Sequence, residues 1–186
     1  DNTLHNIIIS RNAENQTIKF YDNKNLVNTF SYEANADGGD EGVFRFSYDE
    51  DSYDFSGRRA LVRVDFNVPL NNAFEITDDS RMTAVLPTIS KILADGGSAV
   101  LMSHLGRPKG GPEEKYSLKH LVPHLEKLTG VPVVFSDDCI SEKAADTSKN
   151  LPTGSIHLLE NLRFYTEETA GDAAFAASLA KHGDIY

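Results

Sequence analysis

The residues best equipped for chemistry stand at or just beyond short apolar runs. In Leu61-Val62-Arg63-Val64-Asp65-Phe66-Asn67-Val68-Pro69, the polar Arg63, Asp65 and Asn67 alternate with Val62, Val64 and Phe66. An extended chain therefore turns all three polar groups to one side. A strand buried on both faces reads apolar throughout, so this side needs either a ligand or a hydrogen-bond cluster supporting the next loop. A second run empties into Ser103-His104-Leu105-Gly106-Arg107-Pro108. There a glycine lets backbone approach a ligand, and an arginine offers a planar fork to phosphate or carboxylate. A third run, Leu159-Glu160-Asn161-Leu162-Arg163-Phe164, delivers another arginine. Arg81, in Thr77-Asp78-Asp79-Ser80-Arg81, falls in the first turn of an expected helix, where the dipole disfavours a cation. It is either recruited to a negative ligand or paired with Asp78 or Glu75. Arginines and a histidine brought together repel one another unless an anion joins them. The small, highly charged ligand that suits them is a phosphorylated carboxylic acid.

These residues need a scaffold, and the periodicities describe one. Strands are expected at 60–66, 98–102, 131–135 and 155–159, with another starting at 184. Helices are expected from Asp78 or Asp79 to about 94, from Ser117 to just before Gly130, at about 141–149 and at 172–182. Pro123 falls inside the second helix, where it should cost a hydrogen bond and kink the axis. Strand–helix alternation predicts an α/β fold: a three-layer parallel sheet with helices on both faces, Rossmann-like. Ligands of such sheets bind outside the carboxyl ends of the strands, where the polar residues stand.

Residues 1–54 read differently. Ile7-Ile8-Ile9, 17–21 and 26–30 are β-prone, Asp22-Asn23-Lys24-Asn25 suits a hairpin turn, 35–42 reads as a loop, 43–48 as another strand, and 49–54 as an acidic linker. The expected organisation is a β-rich or disordered acidic extension, 1–54, followed by a domain over 55–186. The front faintly resembles one edge of a laminin-G-like β-sandwich.

The formal net charge of −10 is uneven. Residues 1–54 hold 4 Lys and Arg against 11 Asp and Glu, net −7, and the remainder holds 14 against 17, net −3. Such a chain leaves no broad basic surface for nucleic acid. No apolar run approaches the roughly 20 residues of a membrane helix. Cys139, the one cysteine, excludes an internal disulfide and suits a reducing, cytoplasmic setting. The chain opens on Asp1 and first reaches methionine at Met82, which predicts a fragment, a processed chain or an assembly product.

In order and spacing, the segments 63–69, 77–81, 103–110, 136–140 and 158–164 resemble the N-terminal, substrate-binding domain of phosphoglycerate kinase. The resemblance implies a two-domain hinge enzyme of glycolysis, usually monomeric, moving a phosphoryl group between 1,3-bisphosphoglycerate and ADP. It implies that the present part holds 3-phosphoglycerate or 1,3-bisphosphoglycerate through Arg63, Asp65, Phe66, Asn67, Arg81, His104, Leu105, Gly106, Arg107 and Arg163. Asp65 and Asn67 would meet the glycerate end. Arg81 would be catalytic, stabilising the phosphoryl group in flight. Mg-ADP or Mg-ATP would be the cofactor, held by a second domain whose glycine-rich loops and metal-holding carboxylate are not found here. One further arginine and a returning helix are likewise missing, so these residues by themselves are expected to be inactive. The alternatives are a non-catalytic module that binds a phosphorylated acid, and an inactive fragment joined to part of a β-sandwich.

Overall fold

The computed structural model describes residues 7–12, 17–22, 25–31, 54–109 and 111–186. They belong to two compact units, Asp1–Ser47 and Tyr48–Tyr186. The first contains an antiparallel sheet of β1 (Ile7–Asn12), β2 (Thr17–Asp22) and β3 (Asn25–Ser31), in that order. Asp22 pairs with Asn25, which leaves two residues between β2 and β3, as the hairpin expectation required. The expected loop at 35–42, strand at 43–48 and nearly all of the linker at 49–54 lie outside the described residues.

The second unit is built on four parallel strands, β4 (Arg59–Arg63), β5 (Ser98–Met102), β6 (Val133–Ser136) and β7 (Ile156–Leu159), in the order β4-β5-β7-β6. Ile185 adds a parallel bridge to Ala60 on the open side of β4, so the extended stretch expected after 184 is present. Every residue of β5 is buried, as a central strand demands.

The right-handedness of parallel crossovers explains the layers. From β4 through β5 to β6 the chain moves one way across the sheet, and α1 (Ser80–Ala94) and α2 (Val122–Thr129) pack on one face. Their Met82, Ile89, Ile92 and Leu125 share a core with Ala60, Ala99, Leu101, Ile156 and Leu158. From β6 to β7 and on to Ile185 it moves back, so α3 (Glu142–Lys149) and α5 (Ala173–Leu179) cover the other face. There Phe175 and Leu179 pack with Leu61, Val100, Met102 and Leu159.

That second face also buries a polar chain through fully buried His157 and His182. His182 Nε2 lies 3.0 Å from the Cys139 carbonyl and so must carry the proton and donate it. Its Nδ1 then accepts from the Ser148 hydroxyl at 2.6 Å. Ser148 Oγ in turn accepts from His157 Nδ1–H at 2.8 Å. His157 Nε2 is left to accept from the Ser136 hydroxyl, also at 2.8 Å. One proton arrangement satisfies every group, with both imidazoles neutral.

Local details depart from the sequence reading in instructive ways. The first strand ends at Arg63, not residue 66, because Phe66 N–H leaves the ladder for Ser103 Oγ at 2.9 Å. The alternation nevertheless runs on: Val64, Phe66 and Val68 are buried, Asp65 is exposed and Asn67 half-buried. The third strand starts at Val133 and extends to Ser136. Pro123 kinks nothing. A 3-10 turn over Leu118–Leu121 precedes α2, which places Pro123 in the first turn of α2, where a missing N–H costs no hydrogen bond. The proline inside a helix is Pro87, on the exposed side of α1. Gly130 closes α2 at φ +73°, as its place past the helix end required. A short helix, α4 (Thr166–Ala170), went unforeseen. No described helix is long and apolar enough to cross a membrane.

Candidate functional site

The three polar segments emerge side by side because β4, β5 and β7 are parallel neighbours and all end at one edge. Ser103 ties them together. Its Oγ accepts Phe66 N–H from beyond β4, and its carbonyl accepts Leu162 N–H at 3.0 Å from beyond β7. Asn161 holds the loop between from beneath, its Nδ2 donating to the Leu105 carbonyl at 2.8 Å and the Tyr116 carbonyl at 2.9 Å. Buried Glu160 anchors that arrangement. Its Oε1 accepts from Leu118 N–H (2.8 Å) and Asn161 N–H (2.7 Å), and its Oε2 from the Ser117 hydroxyl (2.6 Å).

Above this base the polar groups form two sets, one linked through Asp65 and one through Glu168. Asn67 Oδ1 accepts Gly106 N–H at 2.8 Å, and Asn67 N–H donates to Asp65 Oδ1 at 3.0 Å. Arg81 Nη1 stands 2.5 Å from Asp65 Oδ2. Its partner is thus neither Asp78 nor Glu75. Asp78 instead accepts the Ser80 N–H at 2.9 Å, while Asp79, at the N-cap position of α1, takes His124 Nε2 at 2.8 Å. Arg63 Nη2 donates to Glu168 Oε1 at 2.5 Å, and Glu168 Oε2 lies 3.8 Å from Arg163 Nε. Arg107 and Arg163 line an open cleft of about 240 Å³ with Pro108, Tyr165, Thr166 and Thr169.

His104 is half-buried among these charges. Burial pushes its imidazole below the usual range, and Arg163 and Arg63 push the same way against Asp65 and Glu168. The neutral ring is therefore favoured.

Eight of the ten residues singled out from sequence lie at this edge; of these, Gly106 has its N–H bound to Asn67 and the Tyr116 ring over its Cα, so the glycine is required by packing. Phe66 and Leu105 differ: both side chains are buried in the core, so only their backbone could face a ligand. Sequence reasoning passed over Ser103, Glu160 and Asn161 as supports, although all three lie within the segments it quoted. It missed Glu168, whose signal was an acidic pair, Glu167-Glu168, soon after Arg163. The expected mutual repulsion of the arginines is also relieved differently, since Asp65 and Glu168 already neutralise part of the cluster from within.

The phosphoglycerate kinase family model matches residues 50–186. The chain belongs to the phosphoglycerate kinase family. It is 55% identical over 118 residues to the phosphoglycerate kinase of Porphyromonas gingivalis, covering 63% of this chain and 28% of that protein. With phosphoglycerate kinase 3, cytosolic, of Arabidopsis thaliana, identity is 50% over 133 residues, covering 72% and 33%. The solved structure of phosphoglycerate kinase from Pyrococcus horikoshii OT3 superposes with a TM-score of 0.63 at 28% identity, over 72% of this chain and 34% of that one. The chain thus spans about a third of the length of these relatives.

Proposed function

We propose that the unit Tyr48–Tyr186 is the acid-binding half of a phosphoglycerate kinase, and that the cleft beyond β4, β5 and β7 holds 3-phosphoglycerate or 1,3-bisphosphoglycerate. The observation that carries this reading is the continuous polar set Arg81–Asp65–Asn67–Gly106, flanked by Arg63, His104, Arg107 and Arg163, on family motifs. Phosphoryl transfer demands positioning and charge neutralisation rather than covalent help, and this edge supplies both. Asp65 and Asn67 offer acceptors and an amide to the glycerate hydroxyl and carboxylate. Arg107 and Arg163, on the walls of one cleft, suit the distal phosphate. Arg81, held by a half-exposed carboxylate, is placed to turn toward the group in transit.

Among the described residues, no group of three or more His, Cys, Asp or Glu is gathered to hold a metal ion by itself. The nucleotide side of the transfer is assigned to none of them. Residues 1–186 alone should accordingly bind the acid and form no ATP from 1,3-bisphosphoglycerate and Mg-ADP in a coupled assay.

Amide NMR with 3-phosphoglycerate tests the location of the site. Shifts should concentrate at Asn67, His104, Gly106, Arg107 and Arg163. Shifts centred on the opposite ends of the strands would contradict the assignment.

A further inference from the structure

The arginines of the cleft are unequally committed. Arg63 is held closely by Glu168 at 2.5 Å, whereas Arg163 faces the second oxygen of that carboxylate at 3.8 Å, beyond hydrogen-bond reach. Arg163 Nε is buried without a hydrogen-bond partner. The Glu168 side chain is only 11% exposed, against 47% for Arg63 and 32% for Arg163. The bridging carboxylate is thus the inner member of the trio, and the guanidinia reach outward from it. Its helix, α4, follows directly from the 3-10 turn Leu162–Phe164 that carries Arg163, and Thr166 and Thr169 of α4 line the same cleft as Arg107.

An anion bound between Arg107 and Arg163 needs the Arg163 guanidinium steady but not already spent in a hydrogen bond. A carboxylate at 3.8 Å provides that, attracting the cation without saturating its donors. It also allows two guanidinia to share one small site before any ligand arrives, since the negative charge between them offsets part of their mutual repulsion.

We propose that Glu168 is the positioning residue of this arginine cluster: it fixes Arg63, tethers Arg163 loosely, and so presents Arg163 to the phosphate of the acid. The inference rests on the reading of the cleft given above. Glu168 acts only through the two arginines and itself touches no substrate.

The test is Glu168→Gln, which keeps shape and one acceptor but removes the charge, alone and combined with Arg163→Ala. The variant should keep the wild-type melting transition within a few degrees. Its affinity for 3-phosphoglycerate should fall about tenfold, the scale of one lost charge-assisted interaction. Arg163→Ala should weaken binding more, and the double variant should be little weaker than Arg163→Ala alone, because little remains to be positioned. Side-chain guanidinium NMR signals of Arg63 and Arg163 provide a readout without ligand. They should be sharp and distinct in the wild type and broadened in Glu168→Gln. Losses that add in the double variant, or guanidinium signals indifferent to Glu168→Gln, overturn the proposal. So does tighter binding by Glu168→Gln, which would make Glu168 a competitor of the ligand. If the wild type binds no 3-phosphoglycerate, the functional reading fails, and the guanidinium signals still decide whether Glu168 holds the two arginines.

Discussion

The ring of Tyr116 lies directly over Gly106: a Cβ placed on residue 106 would stand 2.3 Å from Tyr116 Cε1. Gly106 also has φ +63°, a conformation that costs other residues about 1–2 kcal/mol. Gly106→Ala should therefore lose roughly 2–5 kcal/mol when the added overpacking is included. It should also displace the amide that donates to Asn67. Denaturant unfolding measures the first effect, and loss of 3-phosphoglycerate binding the second. A variant as stable as wild type would show that the tyrosine moves aside freely.

The buried histidine chain makes stability depend on pH. Burial holds His157 down at about 4, with His182 adding to the effect, and burial also lowers His182. Around His182, Arg59 lowers the pKa further, while Asp138 and the Cys139 carbonyl oppose the shift. Above pH ~6.5 the unfolded histidines are neutral too, and these groups add no pH dependence. Below it the unfolded chain takes up protons that the native state refuses. For His157 stability should fall by about 1.4 kcal/mol per pH unit from ~6.5 down toward 4. Urea unfolding at pH 7.5, 6 and 5 measures the slope, and His157→Gln should flatten it. Constant stability over that range in the wild type would mean that the network accepts a proton without strain.

Glu160 should be far more costly to delete than to neutralise. Glu160→Ala strands the N–H groups of Leu118 and Asn161 in a buried site, for a loss of roughly 2–6 kcal/mol at 1–3 per unsatisfied group. Glu160→Gln keeps the oxygen serving both N–H groups, and the Ser117 hydroxyl can turn to accept from the new amide. Its cost should stay near 1 kcal/mol. Equal losses in the two variants, by denaturant midpoints, would show that charge matters more than hydrogen-bond count.

What the sequence made legible was set by local rules. Alternation through residues 62–68 marked which side chains are buried and which polar, even where the ladder had ended. Glycine and cap residues placed the helix ends: Ser117 accepts the Lys119 N–H where the second helical stretch begins, and Asp79 stands at the N-cap position of α1, although its side chain caps no N–H there. Partner choice was not legible, because it depends on elements distant in the chain. Nothing near Arg81 says that its carboxylate is Asp65 rather than Asp78, and nothing near Arg63 points to Glu168, 105 residues on. Pro123 misled for a related reason: one apolar stripe runs through both the 3-10 turn and α2, and periodicity alone does not show the break between them.

Arg81 and Asp65 are both about half exposed, so their ion pair should add little to stability. In a full-length phosphoglycerate kinase carrying this domain, Arg81→Ala should leave the melting temperature nearly unchanged. It should lower kcat strongly while raising KM little, because a guanidinium aimed at the moving phosphoryl group acts mainly in the transition state. Steady-state kinetics in both substrates checks this. A raised KM with kcat intact would reassign Arg81 to ground-state binding.

The unit Tyr48–Tyr186 should hold a phosphorylated acid at the ends of β4, β5 and β7. Calorimetric titration of residues 1–186 with 3-phosphoglycerate, at low and at high salt, tests it most directly. The expected result is one-to-one binding that weakens with salt, as partly exposed ionic contacts must, and that Arg163→Ala largely removes. A folded chain that shows no binding at low salt, or binding that Arg163→Ala leaves intact, would contradict it.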